Sequence, residues 1–243
     1  MKKNLTLLSI ILISIISFKA QAQDDVDNKA KTYLSLFGGV STPLGDFAST
    51  NYSNNSAGFA KRGVTFGLEG AAYLYKNLAL GWLISFQDQG ELTTADAQNL
   101  ANGYNESFNK NQTVVTAVGR YHNINLLLGP QYSFLYKKFT LDIKAEAGLI
   151  KSFATPSISY VFDNSSGSAT TQLSSKGVTF AYGASTGIRY SLGDSWDVGI
   201  KANYINSQGI KIENANTVAG TGRLVTNQPI SEIQTTLGIA LKF

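Results

Sequence analysis

Residues 178–191 have the sequence VTFAYGASTGIRYS, and this stretch decides the fold. From Val178 to Tyr190 the even-numbered positions are mostly large or apolar, whereas the odd-numbered positions, from Thr179 to Ser191, are small or polar. A period of two residues is typical of a β-strand whose two faces meet different surroundings. A strand with one apolar face and one small, polar face is the pattern of a transmembrane barrel.

The same alternation recurs almost everywhere after residue 32, and no long helical pattern interrupts it. It is clear in residues 78–87, 139–149 and 196–204. A soluble β-sandwich also alternates, so the period by itself leaves both folds open.

The lengths of the breaks between strands favour the barrel. Long breaks fall at 42–63, 88–112, 163–177 and 213–228, and they alternate with short breaks at 75–77, 137–138 and 193–195. Bacterial outer-membrane barrels have short periplasmic turns, long external loops and an even number of strands. We therefore expect an all-β fold, an antiparallel up-and-down transmembrane β-barrel of eight strands, with periplasmic termini and extracellular long loops.

Aromatic residues support the same fold because they fall at two levels, as the girdles of a membrane barrel do. The level near the short turns and the C-terminus comprises Tyr75, Tyr136, Phe139, Tyr190, Trp196 and Phe243. The other level comprises Phe66, Phe86, Phe180 and Tyr204. For tilted strands this separation is roughly 20–25 Å, close to the height of the apolar band of a barrel.

Residues 113–136 are too long for one membrane span and contain Pro130, which has no N–H for the strand ladder. We expect one long strand that projects beyond the bilayer, with a bulge near Pro130. A split at Asn123 would give nine strands, and a barrel of ten strands also stays open. In the preceding long loop, residues 94–108 have the composition of a short helix.

The N-terminus has the three parts of a secretory signal. Lys2 and Lys3 precede an apolar run from Leu5 to Phe18, and Ala20-Gln21-Ala22 follows it. We expect cleavage between Ala22 and Gln23, which divides the chain into a signal peptide (1–22), a short periplasmic segment (23–31) and the barrel domain (32–243). An uncleaved anchor helix is the alternative, but the run has about 14 residues where a bilayer span needs about 20.

Charge and cysteine content exclude several classes of function. The chain has no cysteine, so disulfides and thiolate chemistry are excluded. Its formal charge is +4, with 20 basic and 16 acidic residues, but Lys2, Lys3 and Lys19 belong to the signal peptide, which leaves 17 basic against 16 acidic residues. A mature charge near +1 does not indicate binding to nucleic acid, which requires a basic patch.

Three segments carry a resemblance to a known family. They are residues 39–47 (GVSTPLGDF), residues 128–132 (LGPQY) and the ending 237–243 (LGIALKF). The chain, over roughly residues 32–243, resembles the porin-family outer-membrane β-barrel proteins common in Bacteroidota. The resemblance implies an eight-stranded OmpA- or OmpX-like barrel and offers no catalytic residues to transfer.

Strand parity places eight charged residues inside the barrel: Glu69, Asp142, Lys144, Glu146, Arg189, Asp197, Lys201 and Lys242. Buried charges must pair, and we expect Arg189 to lie between Asp142 and Asp197. Such a network either lines a selective pore or plugs the lumen with salt bridges. We favour the plug, because eight strands leave room only for filling side chains.

The last strand ends with Leu237, Ile239, Leu241 and Phe243 on one face. This pattern resembles the terminal signal that the barrel-insertion machinery recognises. It is equally the pattern of an ordinary lipid-facing strand, and both interpretations can hold together.

Enzymatic, metal and cofactor sites are not indicated. A lipid-A deacylase barrel would need a His-x-Ser motif, but Ile124 stands two residues after His122, the only histidine. No phosphate loop, metal-ligand spacing or recognisable carboxylate pair is present. We expect no cofactor and no enzymatic activity.

The most economical interpretation is a non-enzymatic outer-membrane barrel with a structural or interaction role. A small passive diffusion channel is the runner-up, and a lipid-A-modifying enzyme is a distant third. Beyond outer-membrane lipid and lipopolysaccharide, the polar external loops, with Tyr52, Phe59, Tyr104 and Phe108 among them, would bind a surface glycan or another membrane protein.

Overall fold

A computed structural model of the protein describes residues 29–90, 92–162, 170–215 and 224–243. Eight antiparallel strands close into a barrel. They are β1 (Tyr33–Pro43), β2 (Lys61–Tyr75), β3 (Leu78–Gly90), β5 (Tyr121–Tyr136), β6 (Phe139–Ala154), β9 (Gly177–Ser191), β10 (Trp196–Ser207) and β14 (Ser231–Lys242). Their order around the ring is β1-β14-β10-β9-β6-β5-β3-β2. The predicted eight-stranded barrel is confirmed.

The three short connections are tight turns at one end of the barrel, which we call the turn end. Lys76 and Lys137 take left-handed backbone conformations, with φ of 46° and 55°, in the two-residue connections β2–β3 and β5–β6. Both chain ends of the barrel also lie here, since Tyr33 of β1 pairs with Lys242 of β14. The predicted short turns are confirmed, and the opposite end, which we call the loop end, carries the long connections.

The expectation of one strand over residues 113–136 is wrong. The segment contains β4 (Thr113–Val118) and β5, and the chain turns between them at Gly119, whose φ is 91°. The predicted bulge near Pro130 is also wrong, because the β5–β6 register is the same on both sides of this residue and shifts only between His122 and Asn123. A glycine in the left-handed region ends the strand more effectively than a proline interrupts it.

The strand that begins at Phe139 also stops earlier than its alternation suggested. It ends at Ala154, and after Thr155-Pro156 the chain enters β7 (Ser157–Phe162). β4 and β7 pair with each other and leave the barrel together. The hairpin of β5 and β6 therefore continues beyond the barrel, where β4 and β7 form part of a separate sheet.

That separate sheet and a helix form a structure at the loop end, which we call the platform. Its sheet has the order β12-β8-β7-β4, with β8 at Thr170–Gln172 and β12 at Asn214–Ala215. Helix α2 (Thr94–Phe108) packs on β4, which confirms the predicted helix. Thr93 and Asp96 form a capping box at its start.

A short helix and a small hairpin close the loop end of the barrel. Helix α1 (Gly45–Ala48) buries Phe47, whose ring meets Tyr121 edge-on with centroids 4.8 Å apart. Strands β11 (Ile210–Lys211) and β13 (Asn227–Gln228) pair beside it, and Ile210 and Ile230 are buried in the same cluster. These residues cover the lumen with an apolar cap.

No helix in the described part of the chain is long and apolar enough to cross a membrane. The predicted signal peptide, its cleavage between Ala22 and Gln23 and most of the segment 23–31 lie outside the described residues.

Candidate functional site in the barrel lumen

The lumen holds all eight charged residues that parity assigned to it. Six of them are buried, and the side chains of Lys201 and Lys242 are only 10% and 12% exposed. Four are acids and four are bases, so their formal charges cancel. We call this set, Glu69, Asp142, Lys144, Glu146, Arg189, Asp197, Lys201 and Lys242, the charge network.

Arg189 is the centre of the charge network at the turn end. Its Nε lies 2.6 Å from Asp142 Oδ2, and its Nη1 lies 2.8 Å from Asp197 Oδ2. The guanidinium also covers the ring of Tyr33, 3.9 Å from the centroid. The guanidinium therefore makes charge-assisted hydrogen bonds to two carboxylates along its edge and a cation–π contact with its face.

The ion pairs continue from Arg189 to the mouth of the turn end. Lys242 Nζ lies 2.6 Å from Asp197 Oδ1 and donates a 3.0 Å hydrogen bond to the carbonyl of Gly193 in the β9–β10 turn. Asp142 also accepts a hydrogen bond from Ser133. The two aspartates therefore have partners on several sides, which offsets the cost of burying them.

Two further ion pairs fill the middle of the lumen. Lys201 of β10 reaches across to Glu69 of β2, and Lys144 Nζ lies 2.6 Å from Glu146 Oε2. Leu83 and Leu127 are buried at the same level. The middle of the barrel is filled by side chains from both sides.

Glycines on the lumen face leave space for these long side chains. A Cβ at Gly199 would lie 2.9 Å from the Cγ of Arg189, and a Cβ at Gly81 would lie 2.6 Å from the Cδ of Lys144. Each glycine therefore permits a neighbouring stem to lie against the barrel wall, and the small face of the alternation is what makes the charge network fit.

The space left beside the charge network is small. A cavity of about 20 Å³ lies among Tyr33, Glu69, Asp142, Arg189 and Lys201. That volume suits a single water molecule. The lumen is therefore occluded at this level.

The loop half of the lumen is lined by neutral amides, which we call the amide layer: Gln87, Gln89, Asn123, Asn125, Asn203 and Gln234. All six are fully buried. Strand pairing places them at neighbouring positions, for example Gln87 opposite Asn123 and Asn203 opposite Gln234. The apolar cap separates this layer from the loop end.

One charged lumen residue, Glu232, was missed by the sequence analysis. It is fully buried in the amide layer, where its Oε2 accepts a 2.5 Å hydrogen bond from Ser41 and a 2.9 Å bond from Gln89. The parity that puts Ile233 outside also puts Glu232 inside, so the alternation was sufficient to predict a lumen position for this residue. It escaped notice because it lies next to the long loop where the strand begins.

The outer face of the barrel is apolar over most of its height. Leu237, Ile239 and Leu241 of the predicted assembly signal are 65%, 56% and 39% exposed there. The backbone N–H of Phe243 donates to the carbonyl of Thr32, which ties the last residue to the first strand. Recognition by an insertion machinery stays a prediction.

Aromatic side chains of the platform pack mainly on one another. Tyr104 stacks on Tyr160 with centroids 4.0 Å apart and meets Tyr52 edge-on at 4.9 Å, while Phe59 and Leu100 are fully buried nearby. The loop aromatics noted in the sequence therefore form the core of the platform.

His122 lies near the loop end beside charged neighbours. Its Nδ1 is 3.9 Å from Asp88 Oδ1, which also pairs with Arg120 Nε at 3.1 Å, and its ring stacks on Phe86 at 6.3 Å. These contacts place the histidine beside the ion pair between Asp88 and Arg120. The absence of enzymatic activity stays a prediction.

Comparisons with known proteins concern the architecture only. No protein-family model matches the chain, and no curated protein matches it. Among solved structures, Neisserial surface protein A is 12% identical with a TM-score of 0.45, covering 89% of this chain and 100% of that one.

Two further solved structures are similar at the same level. Ail, the attachment invasion locus protein of Yersinia pestis, is 7% identical with a TM-score of 0.42, covering 88% of this chain and 100% of that one. A major outer membrane protein from Thermus thermophilus is 14% identical with a TM-score of 0.44, covering 87% and 99%. Likenesses this distant carry no argument about function, so the inferences below depend on this chain's own residues.

Proposed function

We propose that the protein is a non-enzymatic barrel of the bacterial outer membrane, with an occluded lumen and an interaction role for its platform. A closed barrel has no open sheet edge, so its strands can satisfy their backbone groups in lipid. The exposed apolar outer face, with aromatic residues such as Tyr136, Trp196, Phe66 and Phe180 toward its two ends, supports the membrane placement. Membership of the Bacteroidota porin family is part of the same proposal.

The orientation follows from the division of connection lengths. In outer-membrane barrels the short turns face the periplasm and the long loops face outward. We therefore assign the turn end, with both barrel termini, to the periplasm and the platform to the cell surface. Protease added to intact cells should cut within 42–63 or 88–112 and spare the turn at 193–195.

The observation that carries the functional proposal is the occlusion of the lumen by paired charges. Arg189 binds both Asp142 and Asp197 across the turn end, and the cavity beside it has a volume of about 20 Å³. Ions would have to displace buried salt bridges to pass, which favours a closed barrel over the small diffusion channel.

The platform supports the interaction role. It is an ordered structure with its own capped helix, its own sheet and its own aromatic core, held above a rigid barrel. Binding surfaces are commonly built on connections that a rigid scaffold supports. Its partners would be a surface glycan, a lipopolysaccharide head group or another membrane protein.

Insertion into the membrane would require a further partner. This partner is the barrel-insertion machinery, which would recognise the terminal strand. Changing Phe243 to Asp should lower the amount of folded barrel in the outer membrane. An unchanged yield of folded barrel would refute the terminal signal without affecting the role of the platform.

Co-purification tests the interaction role directly. We would replace residues 92–112 by a short turn, which removes α2, and compare the tagged variant with the wild type after cross-linking in native membranes. A control variant carries changes only in the turn at 193–195. Partners of the platform should be lost from the first variant alone, and equal recovery from both folded variants would refute the proposal.

A further inference from the structure

An open cleft, which we call the lysine cleft, lies at the loop end between the start of β9 and the small hairpin of β11 and β13. Its volume is about 450 Å³. Two lysines, two amides and two apolar side chains contribute to its lining: Lys176, Lys211, Gln208, Asn227, Val178 and Phe180. Ligand pockets commonly have volumes of about 300–1,000 Å³, so the cleft has room for a phosphorylated sugar.

Two glycines set the shape of the lysine cleft. Gly209 takes a left-handed conformation, with φ of 102°, where the chain passes from β10 into β11, and a Cβ at this position would lie 2.5 Å from Asn227 Nδ2. Gly177 begins β9, and a Cβ there would lie 3.1 Å from the Cγ2 of Ile210. The hairpin therefore lies against the barrel through Ile210, while Lys211 stays exposed in the lining of the cleft.

The lysines of the cleft have no anionic partner among the described residues. Lys176 and Lys211 are exposed, and neither takes part in an ion pair. Lys151 of β6 is also exposed and lies opposite Val178 in the register of β6 and β9. Glu213 follows Lys211 by two residues but does not line the cleft. Positive charge therefore collects on this side of the barrel without an acid to balance it.

The lysine cleft opens onto the apolar outer face of the barrel. Val178 and Phe180 are exposed in its lining, and Tyr182 continues the same face of β9 toward the turn end. Phe180 belongs to the aromatic level near the loop end, and such a level marks the boundary between the apolar band and the lipid head groups. Lysines just beyond this level lie where head groups lie. A ligand of the cleft would therefore meet cations at one end and an apolar surface at the other.

We propose that the lysine cleft binds the phosphorylated sugar head group of an outer-leaflet lipid. Lys176 and Lys211 pair with the phosphate, since lysine binds phosphate as a point charge, and the amide of Gln208 serves the sugar. The acyl chains lie on Val178 and Phe180. A free phosphate has no acyl chains, so the apolar lining favours a lipid as its source. The inference rests on the outer-membrane placement proposed above, and its site does not include α2.

Native mass spectrometry of the folded barrel tests the requirement for phosphate. The full-length mature barrel in detergent micelles is titrated with lipid A, or with the same lipid A after its phosphates have been removed. The phosphorylated form should bind about 25-fold more tightly, because each of two lysines beside a lipid phosphate contributes about fivefold. Equal affinities for the two forms, or no binding of either, would overturn the proposal.

A matched pair of double variants assigns the binding to the cleft. Lys176→Gln with Lys211→Gln removes two charges from the cleft, whereas Arg62→Gln with Lys110→Gln removes two charges from exposed positions elsewhere. Arg62 lies on β2, across the ring from β9. Affinity for lipid A should fall about 25-fold in the cleft variant alone. Equal affinities of the two variants would refute the site, and the comparison of the two lipids on the wild type stands even if a variant fails to fold.

Two further measurements separate the lipid from other ligands and from the role of the platform. Inorganic phosphate in molar excess should leave lipid A bound, and its displacement by phosphate would assign the cleft to a soluble anion instead. The variant that lacks residues 92–112 should bind lipid A with wild-type affinity, because α2 is not part of the cleft. Loss of lipid A from that variant alone would place the lipid on the platform and refute the lysine cleft, while the interaction role of the platform would stand.

Discussion

The two halves of the lumen stabilise buried charged side chains in different ways. In the turn half, each acid of the charge network lies beside a base, as Arg189 lies beside Asp142 and Asp197. In the loop half, neutral amides surround Glu232, and several of their oxygens have no partner among the described protein groups. The comparison shows that ion pairs hold the charged side chains of the turn half, whereas hydrogen bonds from neutral groups hold the buried carboxylate of the loop half.

The largest effect should come from removing the centre of the turn half. Arg189→Ala leaves Asp142 and Asp197 buried with one cation fewer, and breaking a buried pair in this way costs about 3–5 kcal/mol. The free energy of unfolding in urea, measured in micelles, should fall by that amount. The control Arg62→Ala removes an exposed arginine and should change it by less than about 0.5 kcal/mol.

A pair of buried serines compares a hydroxyl that donates to a lumen carboxylate with a hydroxyl that has no partner among the described groups. Ser133→Ala removes a donor to the carboxylate of Asp142, and a hydrogen bond to a charged group contributes about 1.5–3 kcal/mol. Ser185→Ala removes a buried hydroxyl without a partner among the described groups, and the unfolding free energy should hardly change. Equal losses in the two variants would contradict a stabilising hydrogen bond from Ser133 to the charge network.

The platform should respond more weakly and only locally. Thr93→Ala removes the side chain that accepts from the backbone N–H of Asp96 at the start of α2, and the loss of such a cap costs about 0.5–2 kcal/mol. Hydrogen exchange should speed up in α2 and stay unchanged in the barrel strands. Faster exchange throughout the barrel would show that the platform and the barrel unfold together.

Acid should weaken the capping box at the start of α2. Burial tends to raise the pKa of Asp96, but hydrogen bonds from Lys61 and Thr93 outweigh it and hold the pKa below the ordinary value of 3.8. Because the folded-state pKa is lowered, the stabilisation is present at neutral pH and is lost as the pH falls through that range. Exchange in α2 should accelerate there, and Asp96→Asn should remove this pH dependence.

The sequence predicted the barrel well because one physical rule governs most of it. Alternation sets which face each residue occupies, so strands such as β9 and lumen residues such as Arg189 could be assigned from parity alone. Helix α2 was predicted from local composition. These features depend on short-range patterns.

The features that the sequence did not predict depend on long-range contacts. The length of residues 113–136 indicated an irregularity, but the alternation did not show that β4 and β7 leave the barrel at Gly119 and Pro156. Similarly, the neutral surroundings of Glu232 become visible only when strands β1, β3 and β14 bring Ser41, Gln89 and Gln234 together. Parity gives the face of a residue but not its neighbours across the lumen.

Electrical recording in a planar bilayer tests the occlusion of the lumen most directly. Purified wild-type barrel should show no steady conductance, because the charge network leaves space for only about one water beside Arg189. Arg189→Ala should produce brief, flickering currents, since it opens the centre of the network. A stable open current from the wild type would contradict the occluded barrel and favour the diffusion channel.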